Sequence, residues 1–409
     1  MYKKDLLDDR RMAVLLAMMT AIMPLSVDAY LPAVPEMAQD FGVNIEQVGK
    51  SLSSFMFGVA FGQLLGGAVS DVKGRRVVAL GGLVLYVAGS LALAYTQSLH
   101  GLLSFRLLQA FGGGMAAVMA GAVVRDFYDG RQAAQMFALI GIVMMSAPLL
   151  APMLGSALLD IGGWRSIFIF LTAYSLVVCL LMWRFLPHSG FAGGKLDAAF
   201  FHGMFSRYLR VLKTPPALGF LFFQAFSFGS MFVFLTESSF VYRQLYGLSA
   251  RQYAWAFGCN ILTMASFNRI TAWRLKCGSN AEDILLWGLG IQLAANILLV
   301  LSVAVSSKGL PPFWLLVSFV MLSVGTQGLV TANTQACFMS YFREIGGSAN
   351  ALLMSSTSLI GAMMGWAATG LHNGTVYVMA GLMLFSTLMG IVLLVLFSRS
   401  VWMGRSAVQ

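Results

Sequence analysis

Charge is scarce in this chain. Of its 409 residues only 10% are Asp, Glu, Lys or Arg, whereas a soluble domain carries about a quarter. Histidine and cysteine are as rare, at four each. Cys179, Cys259, Cys277 and Cys337 lack paired spacing, which excludes a disulfide framework and a zinc site as readings. His100, His188, His202 and His372 are dispersed at span edges or loops, so neither a metal cluster nor a nucleophile triad is indicated. No Walker loop is present, and nothing suggests an enzyme or ATP as the energy source.

What the chain has instead is long apolar runs. It is 58% hydrophobic with a mean hydropathy of +0.79. Twelve runs are long enough to cross a hydrocarbon core of roughly 30 Å. They lie at roughly 12–33, 48–70, 77–96, 102–124, 132–159, 166–186, 217–240, 252–272, 283–305, 313–336, 347–371 and 374–397. The first run is too long for a secretory signal, and Asp28, Pro32 and Pro35 stand where a cleavage site would need small residues. The expectation is an all-α membrane protein with twelve transmembrane helices in two six-helix halves.

Orientation follows from the basic residues. With the N-terminus inside, twenty Lys and Arg fall in internal segments and five in external ones, leaving Arg106 within a span. The positive-inside bias puts both termini in the cytoplasm. The net charge of +10 is then a topology signal spread over short loops, so no nucleic-acid partner is expected.

One connection is long, and it divides the chain into an N-terminal half at 1–186, a cytoplasmic linker at 187–213 and a C-terminal half at 214–409. "FGVNIEQV" before the second span and "YGLSARQY" before the eighth echo one another. Each reads aromatic, Gly, aliphatic, then an N-cap residue (Asn44 or Ser249) and a Gln. Chance can produce so short a match, but its place in each half favours duplication.

Three ionisable residues lie well inside spans: Asp28, Arg106 and Glu237. Asp28 lies about 24 Å along an outward helix from Met12, and Arg106 is near the outer end of an inward one. Their similar depth permits contact. Asp28 shares a stripe with Ala17, Ala21 and Pro24, and Arg106 one with Gln109, Gly113 and Ala117; such small and polar faces belong inside a bundle. Asp28 is read as a proton carrier, or else as half of a fixed pair with Arg106. Glu237 is a second candidate for cation recognition, or an interfacial solvated glutamate. Gln224, thirteen residues earlier, lies on a different face unless the helix bends, with Gly229–Ser230 as the flexible point. Ser323, Gln327, Thr331 and Thr334 form a polar stripe, suited to interhelical hydrogen bonding or to a cavity wall. Gly58, Gly62 and Gly66, and again Gly361 and Gly365, have the spacing of close helix packing.

Several motifs carry a resemblance. "GAVSDVKGRR" supplies Gly67, Asp71, Gly74, Arg75 and Arg76; "RLLQAFGGG" begins at Arg106; "APLLAPMLGS" holds Pro148, Pro152 and Gly155. These are similar to the loop, RxxQG and antiporter motifs of the major facilitator superfamily, with Ala110, Ala147, Ala151 and Ser156 replacing usual glycines. "DAYLP" with Tyr30, "GWRSIF" and "YGLS" resemble the Bcr/CflA branch of drug:proton antiporters. The resemblance implies that the first, fourth, seventh and tenth spans line a substrate pathway. It assigns proton coupling to Asp28, Arg106 and Gln109, and substrate contact to Asp28, Tyr30, Arg106, Gln224, Glu237, Gln327 and Thr331. Gly67, Asp71, Gly74, Arg75 and Arg76, with Pro148, Pro152 and Gly155, become conformational switch residues. The expected protein is a monomer in the bacterial inner membrane, taking small molecules and protons, driven by the proton gradient without a cofactor. An importer of a small solute in the same fold is the alternative.

Overall fold

The computed structural model describes residues 9–128, 130–186, 198–306, 309–342 and 345–398, and among these every regular element is helical. The helices are α1 (Asp9–Asp28), α2 (Val34–Phe41), α3 (Ile45–Lys73), α4 (Arg75–Ala94), α5 (Leu99–Phe127), α6 (Gly130–Phe185) and α7 (Ala198–Leu212). They continue as α8 (Pro215–Ser239), α9 (Ala250–Lys276), α10 (Ala281–Val305), α11 (Phe313–Gly325), α12 (Gln327–Met339), α13 (Gly346–Leu371) and α14 (Val376–Phe397). Ten helical stretches among the described residues are long and apolar enough to cross a membrane.

Two features separate that number from twelve. The fifth and sixth spans are two helices that meet, without an intervening loop, at a kink within the α6 range, where Gly162 (φ −146°) and Gly163 (φ +68°) leave helical geometry. Gly163 holds a left-handed conformation that a side chain would strain. The eighth span does form a helix, α9, but Arg251, Asn260, Asn268, Arg269 and Arg274 make it too polar to match the others. Its start is fixed by a capping box, Ser249 accepting from the Gln252 N–H while Gln252 accepts from the Ser249 N–H. The tenth span is divided at Thr326 into α11 and α12.

Two compact units are present: residues 1–44 with 54–205, and residues 45–53 with 206–409. In the first, α1 and α4 both pack on α6, and α4 packs on α5. Its core is aliphatic and sulfur-rich, with Met12, Leu16, Met19, Met119 and Met182 around Tyr86. In the second, α8 packs on α13 and α14, and α10 on α11, α12 and α14. Its core is more aromatic, around Phe220, Phe223, Phe338 and Phe342. Trp183, Trp255, Trp273, Trp287, Trp314 and Trp366 are each more than 60% exposed, as suits side chains that face lipid or its interface. Residues 187–197 of the expected linker lie outside the described residues; 198–212 form α7, with Phe205 exposed.

The glycine repeat of α3 works at the backbone. A methyl at Gly58 or Gly62 would overlap the carbonyl oxygen of Leu107 or Phe111, and one at Gly66 would sit 2.8 Å from the Met115 Cα. The α3 and α5 backbones therefore touch directly. The α13 repeat differs: Gly361 and Gly365 receive the rings of Phe228 and Phe232 from α8.

Gly62→Ala should cost about 1–3 kcal/mol by forcing α3 from α5. Gly81→Ala, where a methyl meets nothing within 4 Å, should be neutral or gain up to about 1 kcal/mol. Thermal unfolding in detergent reads both, and equal effects would count against the backbone contact.

Candidate functional site

The first unit holds a cation with no exposed surface. Arg106 projects from the first half of α5 and is fully buried. Its Nη1 donates to the Ser26 carbonyl of α1 and to Gln109 Oε1, each at 3.0 Å. The guanidinium lies over the ring of Tyr30 (4.2 Å to the centroid), with Phe168 at 5.1 Å and Phe55 at 5.2 Å. Nε and Nη2 have no hydrogen-bond partner among the described residues, and the π faces around the guanidinium offset part of that cost. Gln109 is itself held, its Nε2 donating to Ser90 Oγ at 2.8 Å. Ser90 donates to the Tyr86 carbonyl, and Tyr86 pairs through its hydroxyl with Ser26. One turn of α4, one turn of α5 and Ser26 of α1 are thereby threaded into one network.

Asp28 ends α1 and is 6% exposed. Among the described residues it has no ion pair and no hydrogen bond. The pairing with Arg106 that their similar depth allowed is therefore absent: the guanidinium takes a main-chain carbonyl, an amide and three rings instead. The neighbour that does reach this point is Gly155 of α6. A methyl there would overlap the carbonyl oxygen of Ala29 and lie 2.7 Å from its carbonyl carbon. The one glycine kept in the antiporter-like motif is thus a contact surface for the residue next to Asp28. Pro148 and Pro152 lie within the same helical run, where each withholds an N–H from the carbonyl four residues earlier.

The "GWRSIF" segment closes the end of this unit. Arg165 pairs with Asp40 of α2 at 2.7 Å and donates to the Thr96 carbonyl, while Trp164 Nε1 donates to Asp40 at 3.0 Å. Rings then run in sequence from Phe41 to Trp164, Phe168 and Tyr30, and so to Arg106.

The loop motif is built on a turn that only glycine allows easily, Gly74 having φ +89°. Arg75 bonds Asp71 at 2.6 Å and, from Nε, Asp126 at 2.8 Å; it also donates to Ser70, whose hydroxyl donates to the Gly67 carbonyl. Asp126 was not singled out from sequence, although "RDF" at the end of α5 places an acid where α4 begins. Arg76 donates to the carbonyls of Trp183 and Leu186 at the end of α6, where unsatisfied carbonyls collect. Apart from the Ser70–Gly67 bond within α3, these contacts tie α4 to α3, α5 and the end of α6 in the first unit.

In the second unit Gln224, Gln327 and Thr331 come together. Gln224 Nε2 donates to Thr331 at 3.4 Å, and Thr331 donates to Gln327 Oε1 at 3.1 Å. Gln327 Nε2 donates to the Ser227 carbonyl and hydroxyl, and Ser227 donates to Gln292 at 2.8 Å. Ser227 and Gln292 were not anticipated; the amide in the middle of α10 was the available signal. Ser323 and Thr334 remain outside this network, their hydroxyls buried without hydrogen-bond partners among the described residues. Gln224 Oε1 is also buried and unpartnered.

Glu237 does not join them. The α8 helix is continuous through Gly229 and Ser230, so the expected flexible point is absent and the two residues stay on different faces. Nor is Glu237 a solvated interfacial group: it is 2% exposed, and its carboxylate lies 2.9 Å from His372 Nδ1.

A helical membrane protein with a sealed guanidinium and an unpaired carboxylate in one unit, and an amide–hydroxyl network in the other, is built around interior polar sites. Residues 16–366 match the Major Facilitator Superfamily, and the chain belongs to that family of membrane transporters. It is 31% identical over 350 residues to the bicyclomycin resistance protein homolog of Haemophilus influenzae, covering 86% of each chain. Over 167 residues it is 39% identical to the chloramphenicol resistance protein of Pseudomonas aeruginosa, covering 40% of each. The fold is that of the xylose transporter XylE from E. coli in a partially occluded inward-open conformation. That likeness has a TM-score of 0.73 at 11% identity, over 96% of this chain and 97% of that one.

Arg106→Lys keeps the charge but loses the planar fork and the ring stacking. A lost charge-assisted hydrogen bond of about 1.5–3 kcal/mol should lower transport roughly tenfold or more, with the protein still inserted. Efflux from proteoliposomes of matched protein content measures this.

Proposed function

We propose that the chain is a proton-coupled antiporter that exports drug-like amphipathic small molecules across the bacterial inner membrane by alternating access, with both termini cytoplasmic. The observation that carries this reading is Asp28, a carboxylate sealed within a membrane helix with no ion pair or hydrogen bond among the described residues. An isolated charge in such a place is costly, and two events relieve the cost. One is uptake of a proton; the other is arrival of a substrate that pairs with or hydrogen-bonds the carboxylate. The two compete for one group, which is the coupling an exchanger needs. Arg106 and Gln109 set the polarity around this group through Ser26 and Tyr30, and Gly155 sets its position through Ala29. Gln224, Gln327 and Thr331 offer exchangeable amide and hydroxyl groups to substrate in the second unit. The Asp71–Arg75 cluster is the proposed cytoplasmic switch.

The export direction and the substrate class are supported by relatives named for resistance to bicyclomycin and to chloramphenicol. The proton gradient serves as the energy source without a cofactor. Small molecules, protons and lipid are the expected partners, and the unit of function is a monomer.

Asp28→Asn should abolish pH-gradient-driven transport while leaving insertion and energy-independent substrate exchange in place. A panel of compounds tested in proteoliposomes with and without a pH gradient reads both. Full gradient-driven transport by this variant would overturn the assignment, and proton flux in the same direction as substrate would make the protein an importer.

A further inference from the structure

Outside the groups used above, one buried titratable cluster stands in the second unit. His372 follows the end of α13, and its side chain is 8% exposed. Nδ1 lies 2.9 Å from Glu237 of α8 within a hydrogen bond, and Nε2 lies 3.0 Å from Glu46 in the first turn of α3. The second contact is an ion pair without hydrogen-bond alignment. The ring of Phe240 meets the imidazole edge-on at 4.3 Å.

This cluster closes one end of a longer contact. Residues 45–53 group with the second unit, and they run alongside α13 at one residue per turn. A methyl at Gly365 would lie 2.9 Å from Ser53 Oγ, and one at Gly49 would lie 3.3 Å from Thr369 Cγ2 and 3.8 Å from Thr236 Cγ2. Ser53, Gly49 and Glu46 thus face Gly365, Thr369 and His372. Small residues make the first two contacts, and the third is made by charge.

We propose that His372, held between Glu46 and Glu237, is a second proton-binding site of this transporter, and that its protonation fastens the first turns of α3 to α8 and α13. The chemistry of the ring supports this. A neutral imidazole carries one N–H, so one of its nitrogens presents a lone pair. With two carboxylates on opposite edges, one of them would then face that lone pair at 3.0 Å or less. With both carboxylates ionised, the imidazolium, with a proton on each nitrogen, is the ring form that meets both favourably. Of the other titratable groups on the elements packed around it, Lys50 lies on α3, and Tyr242 and Arg243 lie on the π-helical turn Phe240–Leu245 after α8. α13 itself carries no charged side chain.

Burial pulls the His372 value down, but the Glu237 hydrogen bond and charge, with the Glu46 charge, outweigh it and leave it above the ordinary value. The sign follows. The contact is fully present below the ordinary histidine range and is lost as pH rises through the raised value. Nothing in this depends on whether Asp28 exchanges its own proton.

The test uses the full chain in nanodiscs with His100, His188 and His202 changed to Gln, leaving His372 as the one labelled imidazole. Its NMR titration should fall above about 6.5, the ordinary histidine value. In Glu46→Gln, at a partly exposed position expected to fold, it should move down. Hydrogen exchange of residues 45–53, corrected for intrinsic rates, should accelerate severalfold as His372 loses its proton and be independent of pH in His372→Gln. A titration at or below 6.5, or one unmoved by Glu46→Gln, would overturn the proton site. Exchange at 45–53 that does not follow the titration would overturn the fastening role. If His372→Gln does not fold, Glu237→Gln and Glu46→Gln still decide both points.

Discussion

A guanidinium without exposed surface dictates how the first unit is assembled. The membrane interior offers no water to Arg106, and an uncompensated charge there costs several kcal/mol. The compensation has to come from fixed groups, so a carbonyl of α1, an amide of α5 and three aromatic rings are brought to one point. Three of those residues are held in turn: Gln109 by Ser90, Ser26 by Tyr86, and Phe168 by Trp164. Direct backbone contact between α3 and α5, and between Gly155 and Ala29, supplies the close approach this clustering needs. The glycines and the arginine are two sides of one arrangement, since rings can close over a charge only where helices come near enough.

The second unit meets the same constraint with neutral groups. Its interior polar atoms are amides and hydroxyls in a chain from Gln224 to Gln292, with Asn296 bonding Thr387 and Ser230 nearby in sequence. Amides can exchange partners at small cost, whereas a guanidinium seated on rings cannot. The one charged side chain that is fully buried among the described residues of this unit, Glu237, belongs to its histidine–carboxylate cluster. The two units therefore differ in kind: one interior is organised around fixed charge, the other around exchangeable hydrogen bonds.

Much of the fold was legible because it rests on local signals. Apolar runs marked the spans, Ser249 and Gln252 marked a helix start, and glycine spacing marked the α3 contact. The family motifs led to Arg106, Gln109, Asp71 and Arg75, and the polar stripe led to Gln327 and Thr331. The failures share a cause. Depth along a helix suggested an Asp28–Arg106 pair, but depth says nothing about which of several acceptors a guanidinium selects. Glu237 read as either a cation-recognition group or an interfacial glutamate, and His372 as one of four dispersed histidines at span edges or loops, because their contact joins segments far apart in the chain. Asp126 escaped notice for the same reason, as its partner Arg75 lies on another helix.

The pair Gly162–Gly163 has a mechanical meaning. Before it, α6 presses Gly155 onto the carbonyl next to Asp28; after it, the same helical run carries Trp164, Arg165 and Phe168 to Asp40 and Arg106. No loop intervenes to absorb a change in one arm. A rotation of either arm must pass through the torsions of two residues, one of them already left-handed. The exposed glycine pair is thus the short joint between the arm that positions the carboxylate's neighbour and the arm that supplies part of the arginine's aromatic seat.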